Sequence, residues 1–178
     1  MIRPEQVWRS EPEAAVTEQQ EASEDAVMTR IGQAVILLHA GDREEARNRL
    51  GDIWTELGAE GDSLHRCTLA HYMADAQDDP ADELAWDLRA LSAAEALGDG
   101  PLMPRGFYPS LHLSLADDYV KLGRPEAARV HLSRARAAAA ALPDDEYGNG
   151  VRGAILRLER RLAAEPGAGP RPFPEQSP

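Results

Sequence analysis

Residues 111–135, LHLSLADDYVKLGRPEAARVHLSRA, are the stretch that decides the fold. Apolar or small residues recur every three to four positions on both sides of Gly123-Arg124-Pro125. That period is typical of amphipathic α-helices, and a glycine followed by a proline marks the end of one helix and the start of the next. The stretch therefore predicts a helical hairpin. Its apolar and small positions are Leu115, Ala116, Tyr119, Ala128, Leu132 and Ala135.

The same pattern occurs near the beginning of the chain. A helix over residues 24–40 ends at Gly41, and Asp42 is placed to cap a second helix, with Glu45 at the capping-box position. Ala34 and Ala46 are separated by the same twelve residues as Ala116 and Ala128. Small residues at these positions let paired helices approach closely. Residues 24–58 therefore predict another helical hairpin.

A less regular hairpin is predicted between Asp62 and Gly98. Asp79 is the expected N-cap of its second helix, and Pro80 lies in the first turn. Asp82 occupies the twelve-residue step, so either Ala81 or Ala85 is expected to pack against the first helix. Trp54 and Trp86, in the apolar stripes of the first two hairpins, are expected to be packing residues. A final helix, with Val151, Ile155, Leu158 and Leu162 on one face, is predicted to cover the open end.

These spacings resemble the tetratricopeptide repeat superfamily over about residues 24–163, most closely in the third hairpin. Because 18 of the 19 basic residues are arginine, the composition suggests a GC-rich genome, and the chain resembles short free-standing actinobacterial repeat proteins. The resemblance implies an all-α superhelical array of about three hairpins plus a C-terminal capping helix. It also implies a non-enzymatic scaffold or adaptor, without a cofactor, that binds a protein or peptide in its concave groove.

The repeat register predicts which side chains line that groove. The family positions fall on three residues of the first helix of each pair, four residues apart: Ile31, Val35 and His39; Cys67, His71 and Asp75; Leu113, Asp117 and Lys121. Because the first set is mostly apolar and the others are polar, the expected partner carries a cationic side chain beside an apolar one. Tyr108 and Arg105, in the inserted loop 98–110, are expected to fold over the groove end.

Two other functions are compatible with the same residues. A regulatory repeat protein that senses a small ligand or a peptide would use the same groove. The series Cys67, His71 and Asp75 also has the residue types of a nucleophile, a base and an orienting carboxylate. With His112 or Asp117 as a fourth ligand, it would provide the donors of a zinc site. The ordinary alternative is that Cys67 is a small buried hydrophobic residue and His71 a hydrogen-bonding groove residue.

Composition excludes several classes of function. The formal charge of −12 over 178 residues disfavours nucleic acid as a partner, because phosphate binding depends on Lys and Arg. A single cysteine excludes an internal disulfide framework and a four-cysteine zinc site. No apolar run approaches the length of a membrane span, and the first residues do not resemble a signal peptide. A cytoplasmic location without membrane contact is therefore expected.

The ends of the chain differ from its middle. Residues 1–23 are acidic and residues 164–178 are rich in Pro and Gly, so both are predicted to be disordered tails. Residues 62–99 carry nine acids against two arginines, whereas residues 124–161 carry eight arginines against five acids. This uneven charge is compatible with a homodimer.

Overall fold

The computed structural model describes residues 26–98 and 107–164, which form seven α-helices and no strand. The all-helical prediction is therefore confirmed for these ranges. The helices are α1 (26–39), α2 (Arg43–Leu57), α3 (Ser63–Asp75), α4 (Pro80–Leu97), α5 (Phe107–Lys121), α6 (Pro125–Ala139) and α7 (Glu146–Ala164). Short turns join α1 to α2, α3 to α4 and α5 to α6, and α7 packs against both α5 and α6. No helix in these ranges is long and apolar enough to span a bilayer.

The predicted helix starts are confirmed by side-chain caps. Asp42, Asp62 and Asp79 each accept a hydrogen bond from a backbone N–H in the first turn of the following helix, which satisfies a donor that the helix itself leaves unpaired. The capping box at α2 is only half formed. The Glu45 side chain accepts instead from Arg49, at 2.7 Å.

Two of the hairpin turns have the same backbone geometry. Gly41 and Gly123 have φ angles of 91° and 65°, in the left-handed region that favours glycine. Each glycine N–H donates to the carbonyl three residues earlier, at 3.1 and 3.0 Å. The next N–H donates to the carbonyl five residues earlier, at 3.0 and 2.8 Å. This paired bonding is the Schellman ending of a helix, so the first and third hairpins share one turn design.

The core of the protein lies where the helices approach each other closely. Ala34, Ala46, Ala116 and Ala128 are all completely buried, as the twelve-residue spacing predicts. The apolar residues form three clusters, one mainly within α1–α3, one within α3–α5 and one within α5–α7. The buried face predicted for α7 is confirmed, because Val151, Ile155, Leu158 and Leu162 all belong to the third cluster.

Trp54 and Trp86 connect the first two clusters. Their ring centroids are 5.0 Å apart and their planes are at 85°, an edge-to-face contact. Both rings are partly buried against both clusters. The prediction that these residues pack the core is confirmed. Each ring also has an arginine over its face, Arg66 at 4.4 Å and Arg89 at 4.6 Å from the centroid.

The register of α4 differs from the prediction. Ala81 is exposed and Ala85 is only half-buried, so neither provides the core contact expected from the alanine spacing. The buried residues of this helix are Leu84, Asp87, Ala90, Leu91, Ala93 and Ala94. The helix is therefore rotated relative to the predicted register, and an aspartate faces inward.

Some sequence predictions concern other parts of the chain. The tails predicted at 1–23 and 164–178 lie outside the described residues, except for Ala164, which is the last residue of α7. Arg105 of the inserted loop also lies outside them. Tyr108 does not belong to a loop over the groove, because it lies in the first turn of α5 and its hydroxyl donates to the Ala94 carbonyl at 3.1 Å. That prediction was wrong because α5 begins at Phe107, earlier than expected.

Candidate functional site: an acidic cluster between α3, α4 and α5

The second hairpin carries acids where the other two carry apolar residues. Counted from the N-cap, the fourth and eighth residues of α2 and α6 are buried and apolar: Ala46, Leu50, Ala128 and Leu132. In α4 the same positions are Glu83 and Asp87. Only 2% of Asp87 is exposed. An ionised carboxylate is costly to bury without partners. This departure from the apolar pattern of α2 and α6 therefore marks a candidate functional site.

A second buried carboxyl comes from α5. Asp118 is 1% exposed, and its Oδ2 has no hydrogen-bond partner. Burial raises the pKa of Asp118 to about 8, and the negative charges of Asp87 and Glu83 act in the same direction against the opposing charge of Lys121. Asp118 is therefore the carboxyl of this group that stays largely protonated near pH 7.

His71 of α3 lies beside the buried carboxyl group of Asp87. Its Nδ1 lies 3.4 Å from Asp87 Oδ1. Burial lowers the pKa of His71, but the hydrogen bond to Asp87 and the charges of Asp87 and Asp75 outweigh that effect, so the net shift is upward. The contact between His71 and Asp87 is therefore an ion pair when the imidazole is protonated.

Lys121, the last residue of α5, lies beside carboxyl groups of α4 and α5. Its Nζ lies 2.7 Å from Glu83 Oε1, 3.1 Å from Asp117 Oδ2 and 3.6 Å from Asp118 Oδ1. Burial lowers the pKa of Lys121, but its hydrogen bonds to Glu83 and Asp117 raise it by more, so the ammonium stays charged. Arg161 of α7 also donates to Asp117 Oδ1, at 2.7 Å. Asp117 is therefore already paired with two cations.

Asp75, the last residue of α3, is the open carboxylate of the cluster. It is exposed, and among the described residues its side chain forms no hydrogen bond or ion pair. Desolvation raises its pKa; the charges of His71 and Lys121 oppose this shift, while those of Asp87 and Glu83 add to it. We call Asp75, Glu83, Asp87, Asp117 and Asp118 the acidic cluster.

The structure brings together four of the nine predicted groove residues: His71, Asp75, Asp117 and Lys121. Val35 is half-buried and His39 exposed on α1, while half-buried Leu113 packs against the third core cluster. The polar part of the predicted groove therefore forms one continuous group.

Two predicted groove positions were wrong. Ile31 is 1% exposed and packs with Leu50 and Leu69 in the first core cluster. Cys67 is completely buried and packs with residues of α4 and α5. Neither side chain is available to a partner. In α3 the four consecutive residues 67–70 are all buried, which shows that this central helix is enclosed on several sides.

The interpretation of Cys67, His71 and Asp75 as a catalytic or zinc series conflicts with the geometry. Burial, together with the charge of Asp87, raises the pKa of Cys67 to about 12, the opposite of what a nucleophile needs. His71 pairs with Asp87 rather than with Asp75. Within residues 26–98 and 107–164, no group of three or more His, Cys, Asp or Glu side chains is arranged to hold a metal ion. Cys67 is instead a small buried hydrophobic residue.

The proposed fourth zinc ligand lies in a different contact. His112 Nδ1 is 3.2 Å from His131 Nδ1, and the His131 ring stacks on Tyr119 with centroids 5.4 Å apart. Burial lowers the pKa of His112 to about 4, and the charges of His131 and Arg134 act in the same direction. The two imidazoles are therefore neutral near pH 7 and form a hydrogen bond between α5 and α6.

Sequence reasoning assigned no role to four members of this site: Glu83, Asp87, Asp118 and Arg161. A signal for the first two was present in the sequence. If α4 is aligned on its N-cap Asp79 instead of on the alanine spacing, both acids fall on positions that are apolar in the other hairpins. Arg161 had no comparable signal, because its contact with Asp117 spans 44 residues.

Comparisons with known proteins identify no relative. No family model matches the chain. Neither the curated proteins nor the solved structures provide a match.

Proposed function

We propose that this chain is a tetratricopeptide-like helical array that binds a peptide or a segment of another protein and has no enzymatic activity of its own. The twelve-residue alanine spacing and the shared Schellman turns of the first and third hairpins support a repeat architecture. In such arrays the first helix of each hairpin lines the binding face, here α1, α3 and α5.

The proposal rests on the exposed carboxylate of Asp75, which forms no ion pair among the described residues. The acidic cluster contains five carboxyl groups, whereas its basic partners are Lys121, Arg161 and a protonated His71. Negative charge is therefore in excess, and Asp75 is an exposed carboxylate of the cluster that has no ion-pair partner among the described residues. A cationic side chain of a partner gains a charge-assisted hydrogen bond there, and the surrounding low-dielectric walls strengthen the attraction.

An apolar surface lies one helical turn from Asp75, because Tyr72 stands three residues earlier on α3. The Tyr72 ring is partly buried against the first core cluster, as is Val35 of α1, and it lies 5.5 Å from the His71 ring. A partner segment with an apolar residue beside its cation would meet both surfaces. Alternate side chains of an extended peptide are spaced to do this.

Selection from a displayed peptide library tests the function. We expect the native protein to enrich peptides in which Arg or Lys stands two residues from an apolar residue, so that both side chains point to the same face. Asp75→Asn should weaken the binding of a selected peptide about tenfold, because it removes one charge-assisted hydrogen bond. Asp52→Asn is the matched control, since it removes the same charge from an exposed position on α2.

Two outcomes would contradict this function. Enriched peptides without a basic residue would show that the acidic cluster does not select the partner. Equal loss of binding in Asp75→Asn and Asp52→Asn would show that only net charge matters.

A further inference from the structure

Lys121 does not supply enough hydrogen-bond donors for all the carboxyl oxygens of the acidic cluster. Its ammonium has three N–H donors, and it lies within 4 Å of carboxylates from Glu83, Asp117 and Asp118. The Asp118 contact, at 3.6 Å, is longer than a hydrogen bond. Asp118 Oδ2 has no hydrogen-bond partner, and among the described residues the Asp75 carboxylate forms no ion pair. Acceptors therefore outnumber the donors that this lysine supplies.

We propose that the acidic cluster is a binding site for a guanidinium group, which we call the guanidinium seat. Lys121 occupies this site in the free protein, and an arginine side chain of the bound partner displaces it. A guanidinium has five N–H donors in a planar fork, and so can serve carboxylates that come from different helices. The acidic cluster meets that description, because its members lie on α3, α4 and α5. The identity of the ligand as part of a peptide rests on the function proposed above.

Displacement of Lys121 is physically reasonable. Its side chain is 34% exposed, and it stands at the C-terminal end of α5, followed by a turn. The flexible methylene stem can therefore carry the ammonium out into water while the helix stays in place. The exchange replaces one partly exposed ion pair by another, so its cost is small compared with exposing a buried charge.

The test uses methylguanidinium chloride, which is the end of an arginine side chain, with the full-length protein. Binding is followed by amide shifts of α4 and α5 in heteronuclear NMR spectra. We expect the Lys121→Ala protein to bind this ion about tenfold more tightly than the native protein does, since the seat is then empty. Methylammonium chloride and sodium chloride at equal ionic strength are the comparison ions, and both should bind more weakly.

Asp118→Asn in the Lys121→Ala background identifies the seat, and at pH 9, where the Asp118 carboxyl is ionised, it should abolish the gain in affinity. Asp52→Asn in the same background is the control and should leave the gain unchanged. If Lys121→Ala proves poorly folded by near-ultraviolet circular dichroism, Lys121→Gln removes the charge while keeping most of the side-chain length. Equal binding by native and Lys121 variants, or a gain that survives Asp118→Asn, would overturn the proposal.

The two proposals fail in different ways. Peptides selected through Asp75, combined with no methylguanidinium binding to the Lys121 variants, would leave the peptide-binding function standing and remove the guanidinium seat. Binding of methylguanidinium that depends on Asp118, combined with no peptide enrichment, would establish the seat and remove the peptide-binding function.

Discussion

Lys121 Nζ lies 2.7 Å from Glu83 Oε1 and links α5 to α4 at a position where α2 and α6 have a buried alanine. Such a partly exposed ion pair contributes at most about 1 kcal/mol to stability. An alanine contact at that position would let the helices pack closely, as it does in the other hairpins. The sequence has therefore replaced a packing contact by a polar one of small stabilising value, which is the usual sign of a functional constraint.

Asp118→Asn should raise the free energy of unfolding by more at pH 8 than at pH 5. The folded-state pKa of Asp118 is raised to about 8 by burial, with Asp87 and Glu83 adding to the shift, so the folded protein binds a proton that the unfolded chain releases near pH 4. The contribution of this group to stability therefore falls as the pH rises between these two values. Asparagine carries its own N–H donor and no charge.

The measurement is urea denaturation of both proteins at several values between pH 5 and pH 9. The difference in unfolding free energy should grow with pH and reach about 1–3 kcal/mol, the range for relief of an unsatisfied buried polar group. A difference that stays constant over this range would show that Asp118 is already ionised in the folded protein at pH 5, so that its pKa is not raised.

Ala116→Leu should destabilise the contact between α5 and α6. Ala116 and Ala128 are completely buried, so a larger side chain must push the helices apart. Overpacking of this kind costs about 1–3 kcal/mol, and the same is expected for Ala128→Leu. Thermal and urea denaturation measure the loss. Ala137→Leu, at an exposed position of α6, is the matched control and should change stability little.

Gly123→Ala should destabilise the third hairpin by about 1–2 kcal/mol, because its φ of 65° is unfavourable for residues with a Cβ. No atom lies within 4 Å of the Cβ that would be added, so the cost is conformational rather than steric. Gly150→Ala provides the contrast. That glycine lies within α7 with equally open space, so alanine should stabilise the helix by about 0.5–1 kcal/mol. Opposite signs in denaturation experiments are the expected result.

Cys67 should react slowly with thiol reagents in the folded protein. Burial raises its pKa to about 12 and Asp87 adds to the shift, so thiolate is scarce at pH 8. We expect alkylation to be at least about a hundredfold slower than in urea, where this single cysteine is exposed. Rapid modification of the folded protein would instead restore the interpretation of Cys67 as a nucleophile.

The helices could be predicted because their signals are local. Apolar periodicity, the capping aspartates and the glycines of the turns all lie within a few residues of the features they specify. The pairing of Ala34 with Ala46 and of Ala116 with Ala128 was visible for the same reason, because the two helices of a hairpin are neighbours in sequence.

The site could be predicted only in part, because burial depends on helices that are distant in sequence. Ile31 and Cys67 were expected at the surface of a groove, yet α3 is enclosed by its neighbours and both side chains belong to the core. Asp87 was overlooked for the opposite reason. An acid in a charged helix is usually solvated, and only the contacts of α4 with α3 and α5 place this one inside.

The buried carboxyls of α4 and α5 also bear on cooperativity. In a linear array each unit is stabilised by its neighbours, so the ends unfold together only when the middle transmits that stabilisation. Here the first and third apolar clusters are joined through the second, which lies within α3–α5, where Asp87 of α4 and Asp118 of α5 are buried. Burial raises the pKa of Asp118 to about 8, so its protonation strengthens that link and its ionisation weakens it. We therefore expect the two ends of the described helical region to unfold as one unit at mildly acidic pH and increasingly as separate units at alkaline pH.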